Sequence, residues 1–178
     1  MKVQIIDISK QILGDIPPPC RNCIYWEFPE LFNKVNSEEA FKHKKSWFIK
    51  ALNSFGVCGK ILYVNDEAVA YSQFAPYNLL PQTKNYGYPL EVRNDIIFLS
   101  CLFVCKPEYR RMGLGSKLLE DILSSLKAYG FNEIETIARK DSANNPSGPL
   151  KFYLKHNFQI KKILDQNFVL VGLKLNRL

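Results

Sequence analysis

Arg110, Gly113 and Gly115, spaced R-x-x-G-x-G, are the residues of this chain best suited to holding an anion. The apolar run Ile96 to Cys105 stops at Pro107. From Gly113 onward Leu114, Leu118, Leu119, Ile122, Leu123 and Leu126 recur at helical spacing, so the segment reads as strand, turn, helix. The glycines remove side chains where the helix begins. Several backbone N–H groups without helical partners can then point at one anion, with the positive end of the helix dipole behind them. That is a cradle for a pyrophosphate. The spacing by itself is a weak signal, since a glycine pair also marks ordinary tight turns.

A second chemical group lies downstream in Phe152-Tyr153-Leu154-Lys155-His156-Asn157-Phe158. A phenol at a helix end can donate a proton to a leaving group, or can simply pack as a half-buried ring. Carboxylates at Glu91, Asp95 and Glu135 fall at strand ends, where a solvated role accounts for them, so no general base is assigned. His43 sits in a lysine-rich helical face, and His156 near a helix C-terminus is explained by the dipole. Cys105 is a thiol near the proposed anion turn, and it equally fits the pattern of a small buried hydrophobe.

The elements that must position these groups are legible in order. Val3 to Ile8 alternates as a first strand, and a proline-broken segment follows through Pro17-Pro18-Pro19 to an aromatic cluster of Tyr25, Trp26, Phe28 and Phe32, read mainly as packing. Ser37 followed by Glu38-Glu39 predicts an N-cap and a helix over 37–55, ended by Gly56. Cys58 to Val64 and Ala68 to Phe74 predict a hairpin turning at Asn65-Asp66. The connection Pro76 to Asn94, with Tyr77, Tyr86 and Tyr88, is the first choice for part of an acceptor pocket, because loops of that length usually serve a function. Ile96 to Cys105 is apolar on both faces, as a central covered strand should be. Gly130 stops the next helix, Glu133 to Ala138 gives a parallel strand, Arg139 to Gly148 leads to the helix carrying Tyr153, and Gln159 to Leu164 and Phe168 to Leu175 close the chain.

Strand, P-E-Y-R-R lead-in, R-x-x-G-x-G and helix together resemble the acyl-CoA signature of the GNAT superfamily of N-acetyltransferases, with Cys105 in the place of a strand-ending Val. Phe152-Tyr153 and Asn157-Phe158 resemble the family's later L-Y-E-x-x-G-F. Asn for Gly is a mild change, since Asn tolerates positive φ nearly as well. The resemblance spans Ile96 to Phe158, about a third of the chain. It implies an α+β fold with a GNAT-like mixed, mostly antiparallel sheet flanked by helices, here expected as a single domain over 1–178. It implies acetyl-CoA as acyl donor, with Phe103, Val104 and Cys105 at the acetyl and pantetheine end. Arg110, Arg111, Met112, Gly113, Leu114, Gly115 and Ser116 would lie around the pyrophosphate, and which arginine meets phosphate stays open. By position Tyr153 would be the general acid, and transfer to an amine would be direct rather than through Cys105.

Composition sets the remaining limits. A chain of 178 residues, 47% hydrophobic, is sized for one core. Neither an apolar run of about 18 residues nor a signal peptide is visible, so a cytoplasmic protein is expected. Five cysteines without an export signal suggest reduced thiols, and Cys20-x-x-Cys23, without a second pair or a histidine cluster, reads as structural. The net charge of +7 is scattered, with short clusters at Lys42 to Lys45, Arg110-Arg111 and Lys161-Lys162. Phosphates of CoA would absorb part of it, and the lack of a basic arm argues against a nucleic-acid partner. An acetyltransferase directed at aminoacyl-tRNA and a non-catalytic acyl-CoA sensor stay open as alternatives, as do the acceptor's identity and a homodimeric state.

Overall fold

The computed structural model describes residues 1–87, 95–141 and 148–175. Its seven strands form one sheet in the order β1-β2-β3-β4-β5-β7-β6. The strands are β1 (Val3–Asp7), β2 (Gly59–Val64), β3 (Glu67–Ala75), β4 (Ile96–Val104), β5 (Glu133–Arg139), β6 (Gln159–Ile163) and β7 (Phe168–Lys174). Every neighbouring pair is antiparallel except β4 with β5. The expected mixed, mostly antiparallel sheet flanked by helices is what the chain forms.

The helices are α1 (Ser37–Phe55), α2 (Leu114–Ala128) and α3 (Leu150–Lys155). Alternation along the strands splits the core into two. Leu62, Ile97, Leu99 and Val171 pack with Leu118, Leu119, Ile122 and Leu126 of α2, while Ile61, Phe98, Ile137 and Leu170 pack with Trp47, Phe48 and Ala51 of α1. Successive residues of one strand therefore serve opposite layers, which is why the central strands carry no polar alternation.

Local chemistry accounts for the element ends. Asn65 and Asp66 take φ of 49° and 68°, the paired left-handed geometry that a two-residue hairpin needs and that Asn and Asp tolerate. The cap of α1 is Asn36 rather than Ser37: the Asn36 side chain accepts the Glu39 N–H at 2.9 Å, so the acidic first turn begins one residue after the cap.

Two irregularities in β4 matter for everything that follows. Its pairing with β5 covers only Ile96–Phe98 against Glu133–Glu135, and beyond that the strands part. At the point of parting the Thr136 hydroxyl donates to the Leu99 carbonyl at 2.7 Å. Against β3 the register shifts between Gln73 and Phe74, so that Gln73 faces Cys101, Phe74 faces Leu99, and Ser100 is the extra residue, its hydroxyl donating to the Gln73 carbonyl at 3.0 Å. A bulge of this kind reverses which face each later side chain takes. Cys101, Phe103 and Cys105 consequently join the α1 layer, and Leu102 and Val104 join the α2 layer. Among the described residues no helix is long and apolar enough to cross a membrane.

Candidate active site

Where β4 ends, Pro107–Tyr109 makes a single tight turn, Arg111 and Gly113 both adopt positive φ (61° and 78°), and α2 begins at Leu114. The bond from the Lys117 N–H to the Gly113 carbonyl, 3.1 Å, is the first of the helix. The N–H groups of Leu114, Gly115 and Ser116 precede it and have no carbonyl in their own helix to meet. The two glycines act differently. Gly113 sits in the left-handed region, where a side chain is strained, whereas a Cβ on Gly115 would lie 3.7 Å from the Phe152 ring and 3.8 Å from Leu102, ordinary contact. Any longer side chain at 115 would project into the space beside the helix end.

That space is a cleft of about 560 Å³. Leu102, Phe103 and Val104 of β4 form one side, Arg110, Arg111 and Gly113 to Ser116 the turn, and Gly148, Pro149, Phe152 and Lys155 the opposite wall. The Arg110 side chain folds back over β4: its Nε donates to the Val104 carbonyl at 3.1 Å and its guanidinium lies 5.1 Å from the Phe103 ring centre. Arg111 is left at the exposed rim. Ser116 Oγ is 2.9 Å from His156 Nε2, and the His156 ring packs on Phe152 at 4.8 Å. Lys106, by contrast, pairs with Glu67.

Of the residues singled out in the sequence, Phe103, Val104, Arg110, Arg111, Gly113, Leu114, Gly115 and Ser116 meet in this cleft. Met112 and Cys105 lie outside it. Met112 is 48% exposed, and Cys105 is buried on the α1 side of β4, with its N–H bonded to the Val69 carbonyl at 2.9 Å and its Sγ 3.7 Å from that of Cys20. Tyr109, Phe152 and Lys155 also line the cleft and were not singled out. Phe152 could have been found as the neighbour of Tyr153 in the second motif, whereas Lys155 looks in sequence like any solvated lysine.

Tyr153 is fully buried, between Phe152 and Phe158 at ring separations of 5.2 and 5.1 Å. Tyr153 does not itself line the cleft, but a Cβ built on Gly148, one of the cleft residues, would stand 3.6 Å from its hydroxyl, which puts the phenol behind that wall. Burial pushes its pKa far above that of an ordinary phenol, and a hydrogen bond with Thr136 works in the opposite direction. Through Thr136 the hydroxyl connects to the Leu99 carbonyl, at the place where β4 and β5 part.

Of the carboxylates considered as bases, the two described ones, Asp95 and Glu135, do not line the cleft. Glu135 is buried and receives hydrogen bonds from Tyr77 and Lys161, Glu133 pairs with Lys161 at 2.6 Å, and Asp95 accepts from Asn132 at 3.2 Å. Glu91 and Tyr88 lie outside the described residues. The five thiols are free, and among the described residues no group of three or more His, Cys, Asp or Glu side chains is poised around a common metal position.

A second cavity, about 410 Å³, opens on the α1 side of β4. Trp26 and Phe32 from the proline-broken segment, Lys44 of α1, Gln73 of β3 and Cys101 and Phe103 of β4 line it. Phe103 borders both spaces. Among the described residues of the connection after Pro76 the contribution is indirect: Tyr86 stacks against Trp26 at 5.8 Å and bonds the Tyr25 hydroxyl at 2.6 Å. The aromatic cluster packs into the core as read, and two of its rings, Trp26 and Phe32, also supply part of the wall.

Residues 21–158 match the Acetyltransferase (GNAT) family. The fold is shared with solved structures of low sequence identity. The PaiA N-acetyltransferase of Thermoplasma acidophilum in complex with coenzyme A is 15% identical, with a TM-score of 0.65 over 98% of this chain and 99% of that one. The ribosomal-protein-S18-alanine N-acetyltransferase of Escherichia coli is 14% identical, with a TM-score of 0.59 over 99% and 96%. A GNAT family acetyltransferase of Brucella melitensis in complex with acetyl-CoA is 15% identical, with a TM-score of 0.58 over 98% and 89%. No curated protein matches the chain.

Proposed function

Because the chain belongs to the GNAT family of acetyltransferases, with acetyl-CoA as acyl donor, we propose that it transfers the acetyl group directly to an amine bound on the α1 side of β4, with Tyr153 as the proton donor. The observation that carries this reading is the meeting, in one cleft, of the parted β4 edge and the glycine turn with its open helix N–H groups. The residues present suit the donor. A pyrophosphate needs N–H groups at a helix start and room for close approach, and Gly115 leaves that room. Arg111 at the rim and Lys155 on the facing wall add positive charge. An amide-bearing arm needs an unpaired strand edge, which β4 offers beyond Phe98.

Acetyl-CoA supplies the activated thioester carbonyl. Phe103 and Val104 hold the floor beneath it, and Phe103, which borders both cavities, marks the passage between donor and acceptor. The neutral amine nitrogen bonds to the carbonyl carbon as the carbon–sulfur bond breaks, the phenol of Tyr153 gives its proton to the sulfur, the surplus proton of the amine leaves to water, and a proton taken back from water restores the phenol. The raised pKa of Tyr153 keeps that proton in place throughout the neutral range. Cys105, behind β4 and against Cys20, takes no part.

The test is stabilisation by the ligand. Acetyl-CoA should raise the melting temperature of the natural protein by mass action. Gly115→Asp puts a carboxylate where the phosphates would lie and should abolish that rise while leaving the unliganded melting temperature within a few degrees, because the added Cβ meets only ordinary contacts. An undiminished rise in that variant would remove the glycine turn from the donor site.

A further inference from the structure

Three of the five free thiols meet at one point. Cys20 Sγ stands 3.7 Å from Cys105 Sγ, and the Cys101 thiol also hydrogen-bonds to Cys20. They come from distant parts of the chain. Cys20 opens a single turn, Cys20–Asn22, in the proline-broken segment, while Cys101 belongs to β4 and Cys105 follows its last residue. The bulge at Ser100 puts both of the latter on the α1 face, where that segment is folded over them. Cys20 remains 6% exposed and, with Cys101 and Cys23, lines the 410 Å³ cavity, which gives a molecule little larger than water a way to the cluster. Burial as small hydrophobes accounts for each thiol singly, but it does not call for three sulfurs in mutual contact.

Cys20 is the central sulfur of the three, the one that both others can bond, so a negative charge is best held there. Hydrogen bonds from Cys101 and Cys105 outweigh burial and, with a smaller contribution from the Lys44 ammonium, keep the Cys20 thiol well below the ordinary range. The same bonds, and then burial, keep Cys101 and Cys105 well above it. Cys23 and Cys58 lack such donors. Burial raises both, Cys58 to about 12. Since the thiolate is the nucleophile, the cluster singles out one reactive sulfur among five.

We infer that Cys20 is a modification site for small hydroperoxides, and that its oxidation closes a reversible disulfide with Cys105. The Cys20 thiolate bonds to one oxygen of hydrogen peroxide as the oxygen–oxygen bond breaks, and the departing hydroxide takes up a proton, equal to the one Cys20 released, to leave as water. Cys20 is then a sulfenic acid. With that sulfur uncharged, the larger influence holding the Cys105 proton is gone. The Cys105 sulfur bonds to that of Cys20 as the sulfur–oxygen bond breaks, and hydroxide leaves with the Cys105 proton as a second water. The two sulfurs together lose two electrons and the peroxide gains them. The sulfurs must close from 3.7 Å to about 2.05 Å, which favours Cys105, just past the end of β4, over Cys101, held inside the strand opposite Gln73. The bond joins residues 85 apart and ties the proline-broken segment to the strand end that carries Phe103. This chemistry is independent of the acetyl transfer proposed above.

The test treats the reduced natural protein with a slight excess of hydrogen peroxide, stops the reaction with catalase, and counts by mass the thiols that iodoacetamide alkylates after denaturation. Two of the five thiols should be lost, the mass before alkylation should fall by about 2 Da, and dithiothreitol should restore all five. Digestion should return one cross-linked pair, Cys20 with Cys105, and Cys20 should be lost at least about tenfold faster than Cys58. In Cys105→Ser the partner is gone, so with dimedone present during oxidation the adduct should form on Cys20. Five alkylatable thiols after peroxide, a cross-link that omits Cys20 or Cys105, or dimedone on Cys23 or Cys58 in place of Cys20 would overturn the inference.

Discussion

Replacing Tyr153 by Phe separates a proton donor from a packing ring, because the ring and its contacts with Phe152 and Phe158 remain and only the hydroxyl is lost. The structural cost is the hydrogen bond with Thr136, worth about 1 kcal/mol net. For a chain of this size that lowers the melting temperature by roughly 2–4 °C. The catalytic cost is of another order: loss of a general acid should reduce kcat by about 10²-fold or more, with acetyl-CoA affinity unchanged. Since the phenol is held protonated well above the usual range, kcat of the natural enzyme should show no alkaline decline from this group through pH 9. The folded protein favours the neutral phenol more than the unfolded chain does. Its contribution to stability is therefore complete below about pH 10 and is lost as pH climbs beyond it, a loss the variant should lack. The assay is CoA release across pH, on an acceptor whose chemical step limits turnover, beside a melting curve. An unchanged kcat on that acceptor would refute the role and leave Tyr153 as part of the core.

Two stability predictions follow from the α1 side. Lys44→Met leaves the buried Glu27 carboxylate without its cation, and breaking such a pair should cost about 3–5 kcal/mol, seen as a lower denaturant midpoint; Glu27→Gln combined with Lys44→Met should recover part of it. Burial works against the Lys44 charge while Glu27 works for it, and the net shift is upward, so stability from this pair is present at neutral pH and lost above about pH 10. At the start of α1, Asn36→Ala should cost about 1 kcal/mol and Ser37→Ala much less, read by chemical denaturation; equal effects would contradict the cap assignment.

The turn from Pro107 to Gly115, the amphipathic α2, the Asn65-Asp66 hairpin and the Phe152-Tyr153 helix are decided by short-range rules: positive φ that Gly, Asn and Asp accept, helical spacing of leucines, and open N–H groups at a helix start. Those rules operate within a few residues, so the cleft proposed for the donor was largely visible in the chain itself. The side proposed for the acceptor was not. Lys44 reads as one lysine of a solvated cluster, yet it is 3% exposed, because the residues that bond it, Cys23, Glu27 and Gln73, come from other elements. The face taken by Cys101, Phe103 and Cys105 depends on the bulge at Ser100 opposite Gln73 and Phe74, and plain alternation from Phe98 would have turned them toward α2. The placement of Met112 and Cys105 outside the cleft follows from how β4 joins β3 and how the turn leaves it. Alternation along one strand cannot show where its partner breaks register or parts from it. The parting of β4 from β5 and the cavity behind Phe103 are therefore properties of the assembled sheet and of the segment folded over it.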